Sequence, residues 1–388
     1  MSNYQICTRC VYDSQIEDIS FDSNGVCSYC RKYDRLAEKY INIPASQKQK
    51  QLDTLVGKIK RLGRNKKYDC ILGLSGGVDS SYLAWLAKDL GLRPLVVHFD
   101  NGWNSELAVK NIENIVNKLN YDLETFVFNW EEFKDLQRAY FKAGVVDIEV
   151  PTDYLIFAVL NKLAAKKGIK YILSGYNYAT EFGMPKGWNL SNKFDNKNMQ
   201  DIHKKFGKLK LKDFPTFGRY QIFYYEKLLG IETAPLLNYI EYVKKDVKAF
   251  ISKELDWKDY GGKHYESIFT RFYQGYVLPK KFNIDKRKAH WSALICSKQA
   301  TREEALADLK HEPYPVDMQK QDLEYVAKKL DFSLEEFNKI LNEKPLPHEH
   351  YAMEDPNDFG WKAFKWIMKI PVKVRLKLRH IAATGRWR

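Results

Sequence analysis

The chain has 388 residues, 45% of them hydrophobic and 29% charged, with a formal net charge of +14. That is enough apolar material for one large core or two modest ones, as in a soluble globular protein. No apolar run reaches the roughly 18 residues of a spanning helix, and MSNYQICTRC lacks the charged and apolar regions of a signal peptide, so a cytoplasmic location is expected.

Cys7-x-x-Cys10, sixteen residues and Cys27-x-x-Cys30 open the chain with four-thiolate zinc spacing. Residues 1–35 are too short to bury a core alone, so zinc would supply the module's folding energy. A closed four-cysteine shell leaves no position for catalysis, and a redox or iron–sulfur site is the competing reading. A polar helical connector (36–67) follows. Apolar, β-branched runs at about 69–74, 93–99, 124–128 and 170–174 then alternate with helical periodicity at about 78–90, 105–119, 131–143 and 152–167. The expectation is an α/β domain over 68–230 with a parallel sheet and its site at the carboxyl edge. The stretch 185–225 has no clear period and reads as an irregular insertion near that site. Residues 231–358 read as mainly helical, with capping boxes at Thr301-x-x-Glu304 and Ser333-x-x-Glu336. The tail 359–388 carries nine Lys or Arg and no acid, which is most of the net charge. Its segment Val372 to Arg379 alternates apolar and basic residues, as a strand or a basic surface would. The WKAFKWIMKI stretch could lie on a membrane surface, with a solvated or subunit-docking tail as the favoured reading.

Chemistry concentrates where the first strand meets its helix. Ser75-Gly76-Gly77-Val78-Asp79-Ser80-Ser81 follows the apolar run Cys70 to Leu74. Paired glycines let the backbone approach an oxyanion, the hydroxyls of Ser75, Ser80 and Ser81 can donate to it, and the helix points its positive end there. No lysine closes the turn, which excludes the G-x-x-x-x-G-K-[ST] loop. His98, Asp100 and Asn101 end the second strand and are candidates for adenosine contact, although Asp100-Asn101-Gly102 is also a plain turn signal. Gly175 and Glu181 follow the fourth strand, and Glu181 with Asp79 could hold Mg²⁺. Lys280, Lys281, Lys286, Arg287, Lys288 and His290 form a cationic run suited to a departing pyrophosphate, or simply a solvated face. Cys70 and Cys296 are isolated, and Cys70 reads as a small buried hydrophobe.

SGGVDSS at such a turn resembles the pyrophosphatase loop of the ATP-pyrophosphatase (PP-loop) superfamily. The resemblance implies an adenine nucleotide alpha-hydrolase-like (HUP) domain in which Ser75, Gly76, Gly77, Asp79, Ser80 and Ser81 hold ATP. It also implies that His98, Asp100, Asn101, Gly175 and Arg287 contact the nucleotide, and that Asp79, Lys286 and Lys288 act in catalysis. The four-cysteine start, SGGVDSS, GYNYATE and IDKRKAHWSALICSKQATREEAL, in this order, resemble the N-acetyl sugar amidotransferases of bacterial surface-polysaccharide biosynthesis. That likeness spans nearly the whole chain.

It implies that an acetamido group of a nucleotide-linked sugar becomes an acetamidino group, with ATP, Mg²⁺ and Zn²⁺ as cofactors. Ammonia would come from a separate glutaminase subunit of the histidine-pathway type, with a cyclase-like subunit as a further partner. No nucleic acid is expected. The substrate would sit between the sheet edge and the 185–225 insertion, near Asp153, Tyr176, Asn177 and Arg219. A tRNA-thiolating enzyme is the runner-up and should carry catalytic cysteines near the nucleotide, for which only Cys70 and Cys296 are spare. A non-catalytic zinc adaptor comes third, and intact Ser75, Asp79 and Ser80 argue against it.

Overall fold

The structure, a computed structural model, describes residues 4–369. At the N-terminus short bridges, Ile6 with Asp13 and Phe21 with Cys27, fold the cysteine loops onto helix α1 (Ser28–Tyr40). Helix α2 (Ala45–Gly63) leads into the sheet, burying Leu52, Val56 and Ile59 along one face.

The α/β part runs β1 (Cys70–Gly73), α3 (Val78–Asp89), β2 (Pro94–Asp100), α4 (Glu106–Leu119), β3 (Leu123–Val127), α5 (Trp130–Ala143), α6 (Val150–Lys167) and β4 (Tyr171–Leu173). After α7 (Tyr178–Glu181), α8 (Asn196–Phe206) and α9 (Arg219–Phe223) comes a fifth strand, β5 (Glu232–Ala234), which the sequence did not announce. All pairings are parallel, in the order β3-β2-β1-β4-β5. Because strand side chains alternate, Cys70, Leu72, Val96, Tyr171 and Leu173 pack on one face against α2, α3 and α4. Ile71, Leu95, Val97 and Ile172 pack on the other against Leu160, Leu163 and Ala164 of α6. The chain winds outward from β1 to β3 and returns on β1's other side as β4. This reversal opens a crevice at the carboxyl ends of β1 and β4, where Ser75 to Ser80 and Gly175 stand.

The remaining helices are α10 (Lys244–Leu255), α11 (Ile268–Phe272), α12 (Leu278–Phe282), α13 (Arg287–Cys296), α14 (Arg302–Asp308), α15 (Val316–Lys329), α16 (Leu334–Asn342) and α17 (Phe359–Lys369). A second large core joins Phe133, Tyr140 and Tyr154 to Phe269, Phe272 and Phe337, so residues on both sides of position 230 share it. The 185–225 stretch contradicts its reading as an irregular insertion: α8 buries Met199 and Ile202 in this core. Asp195 caps that helix, accepting from the Asn198 N–H at 2.9 Å. In the described part of the tail, Trp361 and Phe364 pack edge-on against Tyr220 and Phe223. The segment Val372 to Arg379 lies outside the described residues. No helix among the described residues is long and apolar enough to cross a membrane.

Candidate active site

The turn after β1 is built around one glycine. Gly76 has φ +80°, and a Cβ there would stand 2.7 Å from the Ala108 carbonyl oxygen, so neither the conformation nor the space admits a side chain. The Trp257 indole N–H donates to the Gly76 carbonyl at 2.8 Å and fixes the turn from the α10 side. The Ser75 and Ser80 hydroxyls lie 3.1 Å apart, and both residues line the cleft. Ser81 does not join them. It is buried and donates to the Gly77 carbonyl at 2.7 Å, because one residue along a helix turns the side chain to the protein side. Gly175 passes against the first turn of α3, where a Cβ would meet that of Asp79 at 3.3 Å. The Asp79 carboxylate accepts from the Tyr242 hydroxyl and, at 3.3 Å, from the Asn177 amide.

Facing this turn across a cleft of about 190 Å³ are Lys244, Lys248, Tyr260, Lys263, His264 and Glu266. None of these was expected from the sequence. For Lys263, His264 and Glu266 the signal, Gly261-Gly262-Lys263-His264-Tyr265-Glu266, is a glycine turn carrying charge, but it stands far along the chain from Ser75. Burial lowers the Lys244 pKa, and neighbouring Lys263 lowers it further against the pull of Asp79. Lys263 pairs with Glu181 at 3.4 Å. His264, at the left-handed φ of +65°, sets its Nδ1 3.5 Å from the Glu266 carboxylate. Burial pushes the Glu266 carboxyl upward, but His264 and Lys263 outweigh it and hold the group below its ordinary value. One Glu266 oxygen is buried with no hydrogen-bond partner among the described residues. A Cβ on Gly77 would lie 3.3 Å from the other. The Ser75 and Ser80 hydroxyls, the N-terminus of α3 and three lysines around one cleft suit a polyphosphate.

The other sequence candidates are placed elsewhere. His98 is buried, with Nδ1 3.3 Å from the Leu74 carbonyl oxygen and Nε2 3.3 Å from the Asn104 amide. Burial lowers its pKa. Asp100 and Asn101 accept from the N–H groups of Gly102 and Trp103, which is the turn reading of that stretch, and His98 and Asp100 line a separate hollow of about 490 Å³. Arg287 is occupied by Asp285 and the carbonyls of Asp308 and His311, and Lys288 by Asp13 at 2.5 Å. Neither borders the cleft. Lys286 lines a second cavity beside it. Asp153 pairs with Lys193 at 2.6 Å, and Arg219 with Asp358 at 3.1 Å. Asn177, besides holding Asp79, caps α7 by accepting from the Thr180 N–H, and Tyr176 is exposed.

Cys7, Cys10, Cys27 and Cys30 are buried, with sulfurs within 4.8 Å of one another. Sulfurs of Cys7 and Cys30 are 3.9 Å apart and those of Cys10 and Cys27 3.7 Å, near the edge of roughly 3.8 Å of a tetrahedron with zinc–sulfur bonds of about 2.3 Å. Backbone N–H groups of Cys10, Cys27 and Cys30 point at these sulfurs, as befits thiolates. The four cysteines fit a structural metal such as zinc. Among the described residues no other group of three or more metal-binding side chains converges in this way, so Asp79, Glu181 and Glu266 form no ready-made cage.

No curated protein matches this chain. Among solved structures, the NMN synthetase from Francisella tularensis is similar over 60% of this chain and 93% of that one, at 13% identity and a TM-score of 0.29. Residues 266–368 match the family described as LPS biosynthesis protein WbpG-like, C-terminal domain. The stretch similar to that domain brings Glu266 to the loop cleft and α13 to the cavity behind it.

Proposed function

We propose that the chain is an ATP-dependent amidotransferase of lipopolysaccharide or related surface-glycan biosynthesis. It adenylates the acetamido oxygen of a nucleotide-linked N-acetyl sugar and replaces that oxygen with ammonia. The observation that carries this reading is the lysine-faced cleft over Ser75 to Ser80, in a chain with a WbpG-like C-terminal segment. The α/β part serves as a HUP-type nucleotide domain.

An amide carbon resists ammonia because its oxygen leaves poorly. Attack of that oxygen on the α-phosphorus of ATP forms an O–P bond, breaks the bond to pyrophosphate and releases the amide N–H proton, leaving an O-adenylyl imidate. Ammonia then adds through its lone pair, one of its protons passes to the imidate nitrogen, and the C–O bond breaks with its electrons going to AMP. The products are the amidinium, AMP and pyrophosphate. The amides of the Gly76 turn and the Ser75 and Ser80 hydroxyls hold the phosphates, while Lys244, Lys248 and Lys263 offset charge gathering on pyrophosphate. Mg²⁺ arriving with ATP would meet Asp79 and Glu181 and neutralise phosphate charge. Ammonia is mostly protonated at neutral pH, so a glutaminase subunit delivers it unprotonated, with a cyclase-like subunit as an additional partner.

Incubating the chain with ATP, ammonium at alkaline pH and nucleotide-linked acetamido sugars should exchange oxygen for NH in one of them, seen by mass spectrometry, with AMP as co-product. Cleavage of ATP only between its β and γ phosphates would overturn the reading. A thiolating enzyme needs a cysteine at the nucleotide. Among the described residues no cysteine lines the cleft: Cys70 is buried in β1, and the Cys296 sulfur lies 3.7 Å from that of Cys30.

A further inference from the structure

Behind the loop cleft is a second cavity of about 290 Å³, close to the lower bound for ligand sites. It lies between the Gly261 to Tyr265 loop and α13, and it shares Lys244, Gly262 and Lys263 with the cleft. Two further bases enter it, Lys286 at the N-cap of α13 and His290 within that helix, four residues apart and therefore on one face. The His290 ring stands 5.8 Å from that of His264, which lines the cleft, so the two spaces adjoin.

Charge is unbalanced here. Arg271 and Arg287 also border the cavity, but Asp322 and Asp285 neutralise them at 2.7 Å each. Among the described residues Lys244 and Lys286 have no carboxylate within ion-pair distance, while burial and the surrounding lysines push the His290 pKa well down, so it adds a neutral polar group. The nearby acid Glu149 is engaged by Thr270 at 2.6 Å and Gln274 at 3.3 Å, and Asp147 by Lys193 at 3.3 Å. Burial pulls the Lys286 amine below the ordinary lysine value, and the more distant Glu149 and Asp147 charges oppose this without cancelling it. Leaving an amine enclosed without a counter-ion is costly, and a bound anion removes that cost. The walls add flat apolar surface from Tyr265, Trp291 and Tyr314. Gln274 and Gly275 belong to a π-helical turn at Tyr273–Val277, a distortion frequent at functional sites.

We propose that this cavity is a second anion site, taking the diphosphate of the nucleotide-linked acceptor while the loop cleft holds the phosphates of ATP. The assignment rests on the reading of the cleft as the ATP site. It moves Lys286 from the leaving pyrophosphate to the acceptor, and puts the acceptor beside the α-phosphorus instead of against residues 185–225.

The test uses the full chain with UDP as probe and α,β-methylene-ATP saturating the cleft, followed by calorimetry. UDP should bind alongside the ATP analogue. Lys286→Met should weaken UDP about tenfold or more, as for loss of a charge-assisted phosphate contact, with the analogue's affinity held. Lys286→Arg should keep most UDP binding, and Tyr265→Leu, which leaves the lysines in place, should weaken it as well. The proposal is overturned if the analogue excludes UDP, if Lys286→Met binds UDP as wild type does, or if inorganic pyrophosphate binds there as tightly as UDP. AMP formation is scored separately. UDP binding without AMP from any acetamido sugar sinks the adenylation reading and leaves the second site standing; AMP formation without UDP binding does the reverse.

Discussion

Asp79 is held by two donors, the Tyr242 hydroxyl and the Asn177 amide, before any ligand arrives. Burial and the Asp79 charge raise the Tyr242 pKa, so that phenol stays a neutral donor. Asp79→Ala strands a buried hydroxyl at a cost of about 1–3 kcal/mol, whereas Asp79→Asn keeps an acceptor of the same shape. Both should lose AMP formation, and only the alanine variant should lose urea resistance; an asparagine variant with wild-type turnover would remove Asp79 from the chemistry. Gly76→Ala should cost about 1–3 kcal/mol from its left-handed φ alone. The clash with the Ala108 carbonyl adds to this, and a fall in urea midpoint together with loss of ATP-analogue binding is expected. At this scale the loop was legible in the sequence, because a glycine pair between an apolar run and a helix leaves few conformations. Which of its hydroxyls face the ligand was not, since Ser80 and Ser81 differ only by their angle around α3. Glu266 and Lys263 were out of reach, because only tertiary folding carries them to Ser75.

Among elements, α13 has two working faces. Lys286 and His290 line the second cavity, while Lys288 turns to Asp13, which is buried in the cysteine module. Lys288→Met therefore leaves a carboxylate without its cation and should cost about 2–3 kcal/mol. ATP-analogue binding by the folded fraction should persist. Loss of analogue binding with unchanged urea midpoint would return Lys288 to the nucleotide. The sequence made this residue look catalytic because a basic run does not reveal which cation has a buried partner. The same limit applies to the strands. β1, β2 and β4 are continuous apolar runs because helices cover both faces, and β3 was legible through its Thr125, Phe126 and Val127 although it is an exposed edge. β5 has three residues, too few to show a period. The polar string of α8 hides the two residues, Met199 and Ile202, that seat it in the core.

For the molecule as a whole, the cysteine module acts as a clamp across parts that are distant in sequence. The Arg302 guanidinium donates to the carbonyls of Cys7 and Cys10 at 3.1 Å each, Tyr12 donates to the Gly183 carbonyl, and Tyr33 packs edge-on against Phe182. Together with the Lys288–Asp13 pair, these contacts reach α13 and α14 on one side and the segment carrying Gly175 and Glu181 on the other. The module's own apolar core is small and includes the four cysteines themselves, so a metal held by their sulfurs would account for much of its cohesion. Stripping the metal with a thiol-competent chelator should release one zinc per chain and unfold the module. The site should follow, because α13 and the Glu181 segment lose a shared support while the sheet stays intact. Expected readouts are an early thermal transition separate from that of the sheet, and AMP formation that falls in step with zinc loss and returns with zinc but not with magnesium. Full turnover in a metal-free chain, with its melting curve unchanged, would show that the four cysteines neither hold a structural ion nor brace the cleft.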